Sequence, residues 1–387
     1  MLVVDVRNRD SQRNIEVIEI TDESIYYYEE KNNSDKNSLC LFEYNISDNV
    51  ENLMVEYTLD DPTLIPHAYS FEDSIMLVLE NGRDVFVLRI DKSTYDEHLR
   101  TDLNCIGQFS DCKPLDQTHI LIYTVESEEF SNIFKGYKEA TGCSFIVYLY
   151  DLNTQKKYVV KDCVLRRLFA ENLHIFKSGD SWEIMLLDPY SSEYLKESYY
   201  KESSWIDIDV KDNVWILKLD EFIGSIKSGE EKLPSKLLIN SDINGSVRFI
   251  GYDKEKIYFK QNYFSLNKQE IKSFSKATNK IVTETEFYTS VNSPYKYLHI
   301  SKYPFKIHMV SREPNYISVK GVLNSTLDAN YNVEFGDFLD CIEDRFIICK
   351  STLNRKRELI TIYDPVLETK EHFACKFFAN ENTSVLY

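Results

Sequence analysis

The side chains able to do chemistry are spread along the chain rather than gathered into one motif. His299 and His308 bound the segment His299-Ile-Ser-Lys-Tyr-Pro-Phe-Lys-Ile-His308. Symmetric counting about its centre sets them opposite each other on adjacent strands, near enough to share a metal or a proton. Two ligands are not a site and spacing identifies no third, so paired structural histidines are the simpler expectation, with no metal. Acid/base chemistry on a sugar would need paired carboxylates with basic groups nearby. Strand starts and ends offer Glu16, Glu19, Glu171, Arg248, Asp340 and Glu343, but among 63 acidic residues such pairs arise by chance.

Other chemistries are excluded by spacing. The eight cysteines contain no C-x-x-C, which removes zinc knuckles and thioredoxin-like redox pairs. Several sit in apolar runs such as Phe346-Ile-Ile-Cys349, as buried free thiols do. No two glycines stand two apart, so G-x-G-x-x-G cannot occur. Gly224-Ser-Ile-Lys-Ser-Gly229 has P-loop glycine spacing but continues with Glu230 and Glu231 where Lys and Ser/Thr belong. G-x-S-x-G and H-E-x-x-H are also missing, and no organic cofactor is expected.

Charge and hydropathy narrow the partners. With 45 basic and 63 acidic side chains the 387-residue chain carries a net charge of −18. That field opposes nucleic-acid phosphates. The acidic residues are interspersed with lysines rather than run together, as on a solvated face. No apolar run reaches the roughly 18–20 residues of a membrane span. The N-terminus lacks a basic, then long apolar, leader. A cytoplasmic protein with a protein or peptide partner, without membrane insertion, is the expectation.

The elements that must position any site are strands. Runs of four to eight β-branched and aromatic residues alternate with Asn, Asp, Ser and Lys clusters, while helical periodicity is confined to stretches such as 220–228 and 193–202. The runs fall into seven groups of about four, at residues 14–58, 65–106, 110–161, 166–240, 247–286, 296–335 and 337–376. The middle two runs of a group are the most apolar, as in Ile75-Met-Leu-Val-Leu79 and Val85-Phe-Val-Leu88. One four-stranded sheet cannot bury both faces alone, whereas stacked sheets can. The 27 Tyr and 22 Phe would fill the seams between sheets. Both chain ends, 1–6 and 384–387, read as strand, and at least one is expected to complete a blade contributed mainly by the other end. A pair of β-sandwich domains is the alternative arrangement.

This pattern resembles the β-propeller superfamily of bacterial proteins over nearly the whole chain, which implies a single all-β propeller of about seven four-stranded blades spanning residues 1–387. WD dipeptides, kelch double glycines, YWTD repeats and the Asp-box are missing. Ser178-Gly-Asp-Ser-Trp182 shares only the Ser and Asp of that box. No subfamily's functional residues can therefore be carried across.

Two groups hold long insertions between their second and third strands, 128–142 with Phe130, Phe134 and Tyr137, and 190–211 with Tyr194, Tyr199, Tyr200 and Trp205. Second-to-third connections of all blades emerge on one face. Aromatics beside charge in long loops have the composition of binding hot spots. These seven residues are the candidate contact set of a non-catalytic protein- or peptide-binding scaffold. The bland alternative is that the insertions pack on each other and cover blade edges. The competing function class is a carbohydrate-active or other hydrolase or lyase propeller using channel carboxylates.

Overall fold

The computed structural model describes residues 2–5, 14–32, 37–59, 67–81, 84–141, 145–162, 164–168, 170–178, 180–188, 212–241, 245–253, 255–288, 296–302, 305–312, 316–332, 337–353, 357–373, 377–379 and 383–386. Seven four-stranded antiparallel sheets follow one another along the sequence, each taking its strands in simple up-and-down order. Blades one to seven occupy residues 14–59, 67–103, 108–159, 173–240, 245–288, 296–332 and 337–373. The chain divides into two compact units. One is residues 63–288, holding blades two to five. The other is residues 1–62 with 289–387, holding blades one, six and seven.

Two-sided burial explains why the middle strands read as continuous apolar runs. In blade three, Ile120 and Ile122 pack with Met76, Val78, Val85 and Val87 of blade two. Their neighbours Leu121 and Tyr123 pack with Ile184, Leu186 and Leu217 of blade four. Side chains alternate across a strand, so each neighbouring pair serves two seams. Blade four repeats this: Met185, Val214 and Ile216 turn the other way, onto Val247, Ile257, Phe259 and Phe274 of blade five. In the second unit, Val310, Ile317, Val319 and Tyr331 of blade six meet Phe338, Cys341, Ile347 and Cys349 of blade seven. Contrary to the aromatic seams expected from composition, aliphatic side chains dominate these clusters. Fourth strands such as Lys156–Val159 and Lys280–Tyr288 are largely exposed.

The two chain ends pair with each other. Leu2–Asp5 lies parallel to Thr383–Leu386, which pairs antiparallel with Phe377–Ala379. The ends thus form a separate three-stranded sheet, and neither completes a four-stranded blade. Each blade instead draws its strands from one continuous stretch. The first strand of blade three, Gln108–Pro114, is the element least visible in sequence because its residues, QFSDCKP, are mostly polar.

Among the described residues, two α-helices decorate the first unit. Helix α1, Ser131–Thr141, sits in the second-to-third connection of blade three, where the sequence shows an insertion but no helical signal. It turns Phe134 inward (3% exposed) and leaves Ile133 outward (49% exposed). Phe130 and Tyr137 also pack on the core shared by blades two and three. Their i, i+4 and i, i+3 spacing from Phe134 puts all three on one face. Arg166 stacks over the Tyr137 ring at 5.9 Å. Gly107 is required beneath this helix. Its φ of +100° disfavours a side chain, and a Cβ there would stand 2.6 Å from the Phe134 ring and from the Val125 carbonyl oxygen.

Helix α2, Leu219–Ser228, covers the whole 220–228 stretch expected to be helical. It buries Phe222, Ile223 and Ile226 against blades three and four. Its Lys227 donates to Asp151 Oδ2 at 2.6 Å and to His119 Nε2 at 2.8 Å, while His119 Nδ1 meets Asp116 Oδ2 at 2.9 Å. Burial alone would raise the pKa of Asp151. The Lys227 ammonium and the Thr154 backbone N–H outweigh it and hold the carboxyl down to about 2.

Two outcomes follow. Phe134→Ala should cost about 3–5 kcal/mol in denaturant unfolding, whereas Ile133→Ala should stay within about 0.5 kcal/mol. Because Asp151 is depressed in the folded state, its pairing stabilises fully above its unfolded value of 3.8 and is lost as pH falls toward about 2. The stability gap between wild type and Lys227→Met, measured by urea unfolding, should therefore narrow between pH 5 and pH 2; an unchanged gap would contradict the pairing.

Candidate functional site

A cluster of histidine, cysteine and carboxylate side chains lies where blade six meets blade seven. The hairpin of Lys296–Lys302 and Phe305–Arg312 pairs His299 directly with His308, as symmetric counting about the turn requires. Their ring centroids are 6.4 Å apart, and Phe338 of blade seven stands edge-on to both, at 4.9 and 5.4 Å. His308 is fully buried.

Two local backbone features bring polar groups onto this pair. The strand Tyr316–Leu323 carries Gly321, whose N–H donates to the Leu327 carbonyl at 2.6 Å. A Cβ at Gly321 would collide with the Ser325 carbonyl, so glycine lets the turn after the strand fold back. That turn sets Ser325 Oγ 2.9 Å from His308 Nε2. On blade seven, Glu343 and Asp344 take φ values of 53° and 48° in the turn between Asp337–Ile342 and Phe346–Leu353. Such left-handed pairs suit a tight hairpin but strain ordinary residues, and that cost collects at functional places. Here Asp344 accepts from Ser325 Oγ at 2.8 Å and from the Thr326 N–H at 3.0 Å, with Lys306 Nζ at 3.3 Å.

The protonation states follow from this geometry. The Ser325 proton goes to Asp344, so His308 Nε2 donates to the serine oxygen and Nδ1 keeps its lone pair. Among the described residues Nδ1 finds no hydrogen-bond donor. Burial, with the neighbouring His299 and Lys306, lowers the His308 pKa to about 4. Burial also lowers His299, against the opposing pull of Asp340. For Asp344, burial is outweighed by the Thr326 N–H, Ser325 and Lys306, leaving its pKa below the ordinary value. Cys341, 3% exposed, is pushed up to about 12 by burial and is a neutral thiol. One imidazole nitrogen of His308, Cys341 Sγ and one Asp344 oxygen all lie within 4.8 Å of one another.

A second group, His67, Asp111 and Cys112, meets the same distance criterion. The two groups share a pattern that sequence reading missed: Phe109-Ser110-Asp111-Cys112 and Phe338-Leu339-Asp340-Cys341, both F-x-D-C. In each, pairing slips one residue between Phe and Asp, and the Asp carboxylate caps the Cys N–H at 2.7 Å. Each Phe meets a histidine of the preceding blade edge-on, His67 at 5.7 Å and His299 at 4.9 Å. Phe249 of blade five contacts His174 of blade four with tilted rings at 4.2 Å, beside the same slip.

The other sequence candidates are placed as follows. Phe130, Phe134 and Tyr137 come together as anchors beneath α1, facing the blades. Tyr194, Tyr199, Tyr200 and Trp205, with the expected helix at 193–202, lie outside the described residues. Of the carboxylate set, Glu16 and Glu19 are half-buried in blade one, while Glu171, Arg248 and Glu343 are exposed on blades or turns of three different sequence regions. Asp340 takes the Ser301 hydroxyl at 2.5 Å. Five described cysteines are free; Cys40, Cys112, Cys341 and Cys349 are buried and Cys105 is half-buried. No described helix is long and apolar enough to cross a membrane.

No family model and no curated protein matches this chain. Solved structures do. A prolyl endopeptidase is similar over 93% of this chain and 49% of its own, at 11% identity and a TM-score of 0.51. This chain thus spans about half the length of that enzyme. An oligogalacturonate lyase in complex with manganese is similar over 91% and 96% of the two chains, at 12% identity and a TM-score of 0.43. The β-propeller domain of the trilobed protease from Pyrococcus furiosus matches over 93% and 92%, at 9% identity and a TM-score of 0.42. At such identity the endopeptidase speaks to fold alone, and together with the seven sheets it makes this chain a seven-bladed β-propeller.

Proposed function

We propose that this chain is a non-catalytic protein- or peptide-binding propeller whose blades hold connecting segments rigidly on one face. The observation that carries this reading is α1. Three inward aromatics and a cation–π contact fix an eleven-residue helix onto blade three, so its outer side is preorganised. Preorganisation lowers the ordering cost of binding. The aromatics then act as anchors, and the contact surface consists of Asn132, Ile133, Lys135 and Gly136, all exposed. The second insertion, 190–211, leaves blade four at the corresponding second-to-third connection. In this reading the net charge of −18 steers association and leaves contact specificity to the helix.

The test is retention from native extract on the immobilised full-length protein, with mass spectrometry of what is held. Ile133→Asp should weaken capture of a specific partner by about 30-fold, the equivalent of a 2 kcal/mol hot spot. Val282→Asp, at a similarly exposed position on the fourth strand of blade five, should leave it unchanged. Capture indifferent to Ile133→Asp would overturn the reading.

A further inference from the structure

We propose that His308, Cys341 and Asp344 form a binding site for a divalent first-row transition ion of the zinc type, bridging blades six and seven. The donor set is one imidazole nitrogen, one sulfur and one carboxylate oxygen. That mixture suits a borderline-soft ion such as Zn²⁺ and not Mg²⁺ or Ca²⁺, which take oxygen throughout. All three donor atoms lie within 4.8 Å of one another, so small side-chain movements bring them onto one ion at roughly 2.0–2.3 Å.

Three features favour an ion over a merely packed polar cluster. His308 is fully buried, and its Nδ1 has no hydrogen-bond donor among the described residues; an orphaned buried acceptor is costly unless something claims its lone pair. The other ring nitrogen donates to Ser325 Oγ at 2.9 Å, the outer-sphere contact that orients metal-binding histidines. The Asp340 carboxylate accepts from the Cys341 N–H at 2.7 Å and holds that residue's backbone beside the site. A divalent ion that binds Cys341 releases the thiol proton to solvent. Lys306 is the competitor. Its 3.3 Å contact with Asp344 Oδ1 is the one that an ion displaces.

The site differs from the His67–Asp111–Cys112 group. There Cys112 already meets the Tyr69 hydroxyl at 3.3 Å, and the second histidine that blade six supplies has no counterpart, since His67 pairs with Val78. Three protein ligands leave a coordination position for water or for His299.

Co²⁺ titration of the metal-stripped full-length protein tests the site, because cobalt bound to thiolate gives a near-ultraviolet charge-transfer band that a structural cysteine does not. One equivalent should produce the band, and Zn²⁺ should displace it and raise the thermal unfolding midpoint. Cys341→Ser should abolish the band, whereas Cys112→Ser should retain it. Lys306→Gln should tighten Co²⁺ at least tenfold by removing the competing cation. Should Cys341→Ser fail to fold, Asp344→Asn, which suits the left-handed turn, should weaken Co²⁺ more than tenfold with unchanged circular dichroism. Absence of the band, its survival in Cys341→Ser, or its loss in Cys112→Ser would each overturn the proposal.

Discussion

Burial of both faces of a four-stranded sheet is the constraint on which everything else in this chain depends. A lone sheet of this size leaves half its apolar side chains in water. Here adjacent residues on one strand serve opposite seams: Ile122 toward blade two, Leu121 toward blade four. Within each compact unit the shared seams are filled from two blades, and in blades three and four the register of the middle strands is fixed from both sides. The fourth strands escape this constraint on one edge and become polar and exposed.

That same rigidity is what allows strained or polar features to persist. Left-handed Glu343 and Asp344 and the fold-back at Gly321 sit at strand ends, where packed middle strands hold them in place. They deliver Asp344 and Ser325 to His308, a residue that would otherwise be an ordinary interior histidine. The repeated F-x-D-C strands carry the same logic. A one-residue slip turns the Asp back to cap its own strand and aims the Phe at the neighbouring blade's histidine, so a bulge becomes a blade-to-blade contact.

Much of this architecture was legible in the amino-acid order. Doubly buried strands such as Ile75–Leu79 advertise themselves as unbroken apolar runs, and a symmetric hairpin makes the His299–His308 pairing countable. The first strand of blade three was hidden because QFSDCKP buries few of its side chains. Helix α1 was hidden because its apolar contacts are three aromatics in an otherwise polar stretch with a glycine. Cys341 and Asp344 were invisible as companions of His308, since they arrive from another blade and through a turn whose backbone conformation leaves no residue signature: Glu343 is an unusual left-handed residue. The doubled F-x-D-C spacing was present in the letters and is the signal that would have pointed to both histidine–cysteine groups. Tyrosine and phenylalanine, such as Tyr123, Tyr148 and Phe259, take part in the seams, but aliphatic side chains outnumber them there.

The most direct measurement is a comparison of Leu121→Ala and Ile122→Ala by equilibrium denaturation. Both side chains are fully buried, on opposite faces of one strand. Two-sided packing predicts that each loses about 2–5 kcal/mol, with similar losses for the two neighbours. If either substitution left stability within about 0.5 kcal/mol of wild type, as at a solvent-facing position, one face of the blade would be open and the stacked-blade account would fail.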